Sequence, residues 1–313
     1  MRDSAAARVK APPIRRARAS WRVRETLYAY VYLLPTIIGL LLFSAGAVIM
    51  SLGISFTRWE GETRICDLTW VGFGNYVKAF TDPLFPQVVW NTCYYVLGFV
   101  PINLVIGLFL ALLVNQELKG VTLFRALFFL PVITSGVAVA LIFTWLLSAE
   151  FGPVNELLWK LFRIRGPRWL ATTEWAMPSL ILLGIWKGVG YTMVIYLAGL
   201  QGIDVTLYEA ARIDGANSWQ LFAKITVPML TPTTFFLLIT SIIGSFQVFV
   251  PTYVMTKGGP LHATTTLPYW IYQNAFEWFH MSYAAALAYV LFIVILTLTL
   301  IQWRMQRRWV FYQ

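Results

Sequence analysis

Of the 313 residues, 58% are hydrophobic and 12% charged, against about a quarter charged in an ordinary soluble domain. Such a chain has too little polar surface to cover itself in water, so it reads as an integral membrane protein and not as a soluble enzyme. Lysine and arginine outnumber the acids 24 to 14, but the excess sits in the N-terminal tail without interleaved aromatics, which argues for membrane topology and against a nucleic-acid partner.

In chain order, residues 1–25 are Arg- and Ala-rich and poor in acids, and predict a disordered basic tail. A first span lies in 26–57, an uncharged run longer than the roughly 20 apolar residues that cross a bilayer. A polar outer segment follows, with one short interfacial helix expected over Asn75–Thr81. The second span falls within 88–114, the third in 126–147, with Pro131, Thr134, Ser135 and Gly136 inside it. The mixed segment 148–175 has helical spacing from Asn155 to Phe162, as expected of a surface helix. The fourth span is 176–200, the fifth 229–255 and the sixth 279–303. Between the last two, Lys257-Gly-Gly-Pro260 turns the chain and 261–278 reads as a loop rich in Thr and aromatics. Residues 304–313 form a short basic tail.

Six spans put both termini on one side. The two tails and the segments 115–125 and 201–227 hold 15 of the Lys and Arg residues; the opposite segments hold 8, and Lys187 lies inside a span. The positive-inside rule then places both termini and segment 201–227 in the cytoplasm. On this topology Thr265 is an outside position and Gln220 an inside one. The expected fold is an all-α polytopic membrane protein of six transmembrane helices. Residues 26–303 form its membrane domain.

Segment 201–228 is the polar interruption around which the spans are arranged. Glu209, Ala210 and Ala211 favour helix, Gly215 breaks it, and Asn217-Ser218 can cap a second helix that Pro228 is expected to end. No catalytic group is recognised. A phosphate-cradling Gly-x-x-x-x-Gly-Lys stretch, a nucleophile elbow and a metal-ligand spacing are all lacking from the sequence. Cys66 and Cys93 suit free thiols better than a bridge, and His262 and His280 lack paired acids.

Polar residues inside spans are therefore the candidates for contact with cargo. Thr240, Gly244, Gln247 and Pro251 recur at i, i+4, i+7 and i+11, beside Ser241, with Phe246, Phe249 and Tyr253 nearby. Amides and hydroxyls among aromatic faces suit a sugar. Helix packing through small residues is the competing reading. In span four, Trp186, Lys187 and Tyr191 are further candidates. A charge at that depth costs at least about 2.5 kcal/mol on insertion scales, so Lys187 faces a cavity, snorkels or is paired.

The stretch Glu209-Ala-Ala-Arg-Ile-Asp-Gly-Ala216, continuing to Phe222, Ile225 and Pro228, resembles the E-A-A-x-x-D-G-A-x-x-x-x-x-F-x-x-I-x-x-P loop of bacterial ABC importer permeases. Trp70-Val-Gly-Phe-Gly-Asn-Tyr76, the pair Asn91-Thr92 and Tyr253-Val-Met-Thr256-Lys-Gly-Gly-Pro260 resemble phrases of the carbohydrate-uptake branch. The resemblance covers most of the chain beyond residue 26. It implies the ABC importer permease fold in a bacterial cytoplasmic membrane, with a coupling role for Glu209, Ala210, Ala211, Arg212, Asp214, Gly215, Ala216, Phe222 and Pro228. It further implies a homologous second permease, two ATPase subunits and an extracytoplasmic solute-binding protein. The cargo would be a sugar, polyol, oligosaccharide or glycerol phosphate. No cofactor is expected in this chain; ATP and Mg belong to the ATPase partners. The rival reading, an ion-gradient-driven carrier, needs acids in the spans, and the spans contain no Asp or Glu.

Overall fold

The computed structural model describes residues 15–60, 68–116, 119–307 and 310. Cys66 and the start of the basic tail lie outside that set. The chain separates into two compact units, Met1–Gly53 and Ile54–Gln313.

The first unit is helical. Helix α1 (Arg15–Gly39) passes through a π-helical turn, Leu40–Ala45, into α2 (Gly46–Ser55). It begins inside the stretch expected to be disordered, so residues 15–25 are helical. Glu25–Ser55 is one 31-residue apolar run, and Pro35 is carried within it.

In the second unit a two-residue pair of strands, β1 (Thr57–Arg58) and β2 (Thr69–Trp70), brackets a polar segment and is antiparallel. Helix α3 (Gly74–Thr81) follows, close to the interfacial helix expected. Asn75 secures it by donating to the carbonyls of Ser55 and Thr57 at 2.8 and 2.7 Å. Long helices α4 (Phe85–Val114) and α8 (Thr173–Gln201) form the centre. Gly98 of α4 faces Ile181 and Gly107 faces Thr192, so the two helices run parallel at close approach. A fourth long helix, α14 (Met281–Gln306), carries the last apolar run.

The stretch expected as the third span is not one straight helix. It holds α5 (Val121–Ile133) and α6 (Gly136–Leu146), with a bend of 98° between them. Thr134 and Ser135 are extended, with ψ 150 and 126, so the helical ladder is interrupted there. Helix α7 (Pro153–Phe162) lies in the segment joining α6 to α8, with Pro153 in its first turn and Arg163 in a left-handed conformation closing it.

The fifth span is interrupted too. Helix α12 (Thr231–Phe246) stops at Gln247. Pro251 supplies no N–H for the Gln247 carbonyl, and its ring opposes continuation. The chain resumes as a π-helical turn at Thr252–Thr256. The stretch after it is not the expected open loop. Helix α13 (Leu267–Tyr272) and a π turn, Gln273–Glu277, occupy it, and Thr264, Thr265 and Thr266 are buried. Here two of the sequence phrases meet. Asn91 donates to the carbonyls of His262 and Thr265 at 2.7 and 3.1 Å, and Thr92 accepts from Leu267 N at 2.9 Å. Thr264 and Thr265 donate to Gly259 and Gly258 carbonyls. The Asn-Thr pair and the Gly-Gly-Pro turn are thus two halves of one hydrogen-bonded junction.

Among the described residues, four helices are long and apolar enough to cross a membrane, or up to six if each bent pair is one span. Three apolar clusters hold the second unit together. One centres on Val96, Phe246, Trp270 and Leu287. The next joins Tyr95, Met177, Leu180 and Val248, and the last joins Ala111, Met193, Tyr196 and Leu237.

Candidate functional site

Two places gather the candidate residues. The first is a cavity of about 450 Å³ walled by α4, α8, α12 and the chain following α12, with Val132 of α5 at its edge. The interruption after Phe246 borders this space: Val248 and Phe249, outside the helix, and Val250 and Pro251, where it resumes, all line it. Tyr95, Phe99, Tyr191 and Phe249 supply aromatic walls. Thr192, Thr240, Ser241 and Ser245 supply hydroxyls, and Asn103 an amide. Tyr95 and Phe99 stack at 5.7 Å.

Of the residues singled out in the sequence, Lys187, Tyr191, Thr240, Ser241, Gly244, Phe249 and Pro251 line this cavity. Tyr253 stacks on Phe249 at 5.3 Å and belongs to an aromatic group with Tyr269 and Tyr272 beside it. Three others are placed elsewhere. Phe246 is buried in the core with Val96 and Trp270. Trp186 turns away and packs on Phe143 at 5.4 Å. Gln247 is exposed at the end of α12 and is not among the cavity's lining residues. Its expected alignment with Thr240 and Gly244 required a helix running through 251, and that helix ends at Phe246.

Lys187 is held by carbonyl groups and, among the described residues, by no acid. Its Nζ donates to the Thr134 and Pro131 carbonyl oxygens at 2.7 and 3.3 Å. Those oxygens close the C-terminal end of α5, where helix ends leave carbonyls unpaired and a cation is favoured. Thr134 assists by donating its hydroxyl to Pro131 O at 2.6 Å. Pairing and cavity lining, open alternatives in the sequence, coexist here.

Periodicity missed Asn103, Thr192, Tyr95 and Phe99. Asn103 is a single amide in an otherwise apolar run. Its significance comes from Thr192, 89 positions away, whose hydroxyl accepts from Asn103 Nδ2 at 2.7 Å.

The second place is the polar segment between α8 and α12. Helix α9 (Val205–Ile213) is capped by Asp204, whose side chain accepts from Thr206 N at 2.9 Å. That bond holds the Asp204 carboxyl below its ordinary range. The helix closes on Gly215, which has φ +82. Ala216 N donates to Ala211 O at 2.9 Å and Gly215 N to Arg212 O at 3.0 Å. This paired pattern with a left-handed residue is the Schellman closure.

Helix α10 (Ser218–Leu221) starts with a reciprocal box. Asn217 Oδ1 accepts from Gln220 N at 2.9 Å, and Gln220 Oε1 accepts from Asn217 N at 2.8 Å. The expected helix, Gly break and Asn-capped helix are all present. Pro228 does not end the second helix as expected. The chain continues through a π turn, Phe222–Thr226, into α11 (Val227–Met229), and bends by 60° at Leu230, just before Pro232. The wider turn accommodates the missing Pro228 N–H.

Glu209, Ala210, Arg212 and Asp214 are exposed, Ala211 and Ala216 half-buried. Neither Glu209 nor Asp214 makes an ion pair among the described residues; the capping belongs to Asp204 and Asn217. Phe222 packs on Trp219 at 5.6 Å. Tyr208 OH and Thr226 Oγ1, 2.9 Å apart, tie α9 to the second helix.

Residues 103–309 match the family described as binding-protein-dependent transport system inner membrane component. The chain is 37% identical to the probable ABC transporter permease protein YesP of Bacillus subtilis, over 93% of this chain and 94% of that protein. It is 36% identical to the lactose transport system permease protein LacF of Rhizobium radiobacter, over 91% and 96%. Among solved structures, a bacterial ABC transporter involved in import of the acidic polysaccharide alginate superimposes with a TM-score of 0.80 at 28% identity, over 93% of this chain and 99% of that one. With the bent helices, cavity and capped polar segment in view, these matches show that the chain belongs to the binding-protein-dependent transport system inner membrane components, the multi-pass membrane permease subunits of ABC importers, whose ATPase is a separate subunit.

Proposed function

We propose that this permease forms half of the translocation pathway of a sugar importer and that its α9–Gly215–α10 segment couples it to an ATPase. The observation that carries the reading is the cavity, whose largely apolar and aromatic walls also carry hydroxyl and amide groups. Sugars present C–H faces to the first and hydroxyls to the second. Relatives named for lactose, arabinooligosaccharides and sn-glycerol-3-phosphate support this cargo range.

On this reading each bent pair is one span, giving six, with both termini cytoplasmic in a bacterial inner membrane. Parallel α4 and α8 support it, because the chain must recross between them and α5–α6 is the segment available. A homologous permease would complete the pathway, and two ATPase subunits would bind ATP and Mg. The exposed Glu209, Arg212 and Ile213 on a rigidly capped helix suit docking of such a subunit. An extracytoplasmic binding protein would deliver cargo; a solved relative was crystallised with its alginate pentasaccharide-bound periplasmic protein.

The test begins with the binding protein encoded beside this gene. A thermal-shift screen over oligosaccharides, polyols and glycerol 3-phosphate identifies its ligand, and uptake of that ligand is measured in proteoliposomes holding the assembled complex. ATP-dependent uptake requiring the binding protein is expected. Uptake driven by a proton or sodium gradient without ATP would overturn the proposal in favour of a secondary carrier.

A further inference from the structure

Resting on the pathway reading of the cavity, we infer that Asn103 is a cargo-contacting residue whose amide oxygen is the hydrogen-bond acceptor that α4 presents to hydroxyl groups crossing the membrane. Asn103 is 2% exposed and lines the cavity. Its two polar atoms are unequally served. Nδ2 donates to Thr192 Oγ1, which fixes the orientation of the amide. Oδ1 is buried and meets no donor among the described residues. Buried acceptors are nearly always paired, so an orphan one at a cavity wall points to a partner that enters the cavity.

The surroundings show where a partner would come from. The Oδ1 atom lies beside Gly188, at 3.2 Å from the position a Cβ would take there. Gly188 and Thr192 both line the same cavity. Gly188 adds no side chain there, and the atoms over that flank are Cζ and Cε2 of Phe99, at 3.1 and 3.3 Å from the same point, so the oxygen is covered by a ring that itself lines the cavity. A donor in the cavity would meet this acceptor, already oriented by Thr192, once the Phe99 ring swings aside. An ammonium or hydroxyl donor satisfies such a group and a carboxylate does not, so the position selects for donor-rich cargo.

The test uses the full chain in its assembled complex, in membranes, with Cys66 and Cys93 replaced by Ser. Single cysteines are placed by Asn103→Cys, by Ser241→Cys on the opposite wall, and by Val105→Cys, exposed on the other side of α4. The probe is 2-aminoethyl methanethiosulfonate, a small cationic reagent that reacts with hydrated thiols, and the readout is the mass shift. Complete labelling at 103 and 241 with none at 105 is expected. Labelling at 241 without labelling at 103 overturns this inference and leaves the pathway reading standing. Failure at both positions removes the pathway reading as well. Should Asn103→Cys not assemble, Thr192→Cys probes the same spot: its labelling supports the inference, and its protection while 241 labels overturns it.

A second measurement separates cargo contact from helix packing. The double variant Asn103→Leu with Thr192→Val removes the orphan acceptor together with its partner while keeping shape. An unchanged or raised Tm is expected. A clear fall in Tm assigns the pair to packing and overturns the inference.

Discussion

Lys187 of α8 and Thr134 at the break between α5 and α6 are joined through a 2.7 Å bond from the lysine Nζ to the threonine carbonyl. The bond explains how a charge sits within an apolar helix and why the third span can bend by 98° there. The bend exposes carbonyls that a straight helix would satisfy, and the lysine reaches them. Hydrogen bonds to charged groups contribute about 1.5–3 kcal/mol. Lys187→Met is therefore expected to lower the Tm of the purified permease and to reduce uptake, with Lys187→Arg retaining more of both. A methionine variant with wild-type Tm would show that the bend stands without the lysine.

Topology is testable at two exposed side chains. Thr265 is unsuitable as an outside reporter because it is 1% exposed within the Asn91 junction. Leu261, 84% exposed, and Ile213, 87% exposed, are suitable. In cysteine-free permease, Leu261→Cys should react with an impermeant maleimide in intact cells and Ile213→Cys only after the cells are opened. The reverse pattern would invert the proposed orientation.

Glycines at two positions should respond oppositely to alanine. A Cβ at Gly190 would meet the carbonyl of Phe128, a backbone atom that cannot step aside. Overpacking of this kind costs typically about 1–3 kcal/mol, so Gly190→Ala should separate α8 from α5 and lower the Tm. At Gly244, within α12, nothing lies within 4 Å of the added atom. Alanine there should gain roughly 0.5–1 kcal/mol from helix propensity. Because Gly244 also lines the cavity, the stabilised variant should take up its cargo more slowly. Thermal unfolding and initial uptake rates of both variants decide the matter.

The legible and illegible parts of this chain divide along a physical line. Caps and breaks depend on neighbours a few residues away, so Asn217 with Gln220, and Gly215 closing α9, are readable as local patterns. The long helices are readable because apolar length alone defines them. The interruption at Gln247 depends on how Pro251 is accommodated. A proline in a membrane helix can be absorbed, as Pro35 and Pro101 are, or can end the helix, and neighbouring packing decides which. Periodicity consequently puts Gln247 on a face that does not exist. Asn103 stands in plain view as an amide in an apolar run, but only its contact with Thr192 and its unpaired oxygen at the cavity wall give it a role.

The last expectation concerns Gly215. Its φ of +82 lies in the left-handed region, and no atom lies within 4 Å of a Cβ built there. A substitution therefore meets no clash, and its whole cost is backbone strain, about 1–2 kcal/mol for an L-residue held left-handed. A β-branched side chain is least tolerant of that conformation. The strain is relieved by opening the Schellman closure, that is, by releasing Ala216 N from Ala211 O and Gly215 N from Arg212 O. Release would turn α9 relative to α10, although Asp204 and Asn217 still cap their own helices. Tyr208 would be drawn from Thr226 in the same motion. The spans do not depend on these bonds, so Gly215→Val should insert and assemble its cavity, with Ser241→Cys in that background labelling as before. What should fail is the response of the ATPase to loaded binding protein, seen as lost stimulation of ATP hydrolysis and weakened co-purification of the ATPase subunit. Gly215→Asn, which tolerates the left-handed region better, should keep most of both. Full stimulation in Gly215→Val would mean that the geometry of this turn plays no part in coupling.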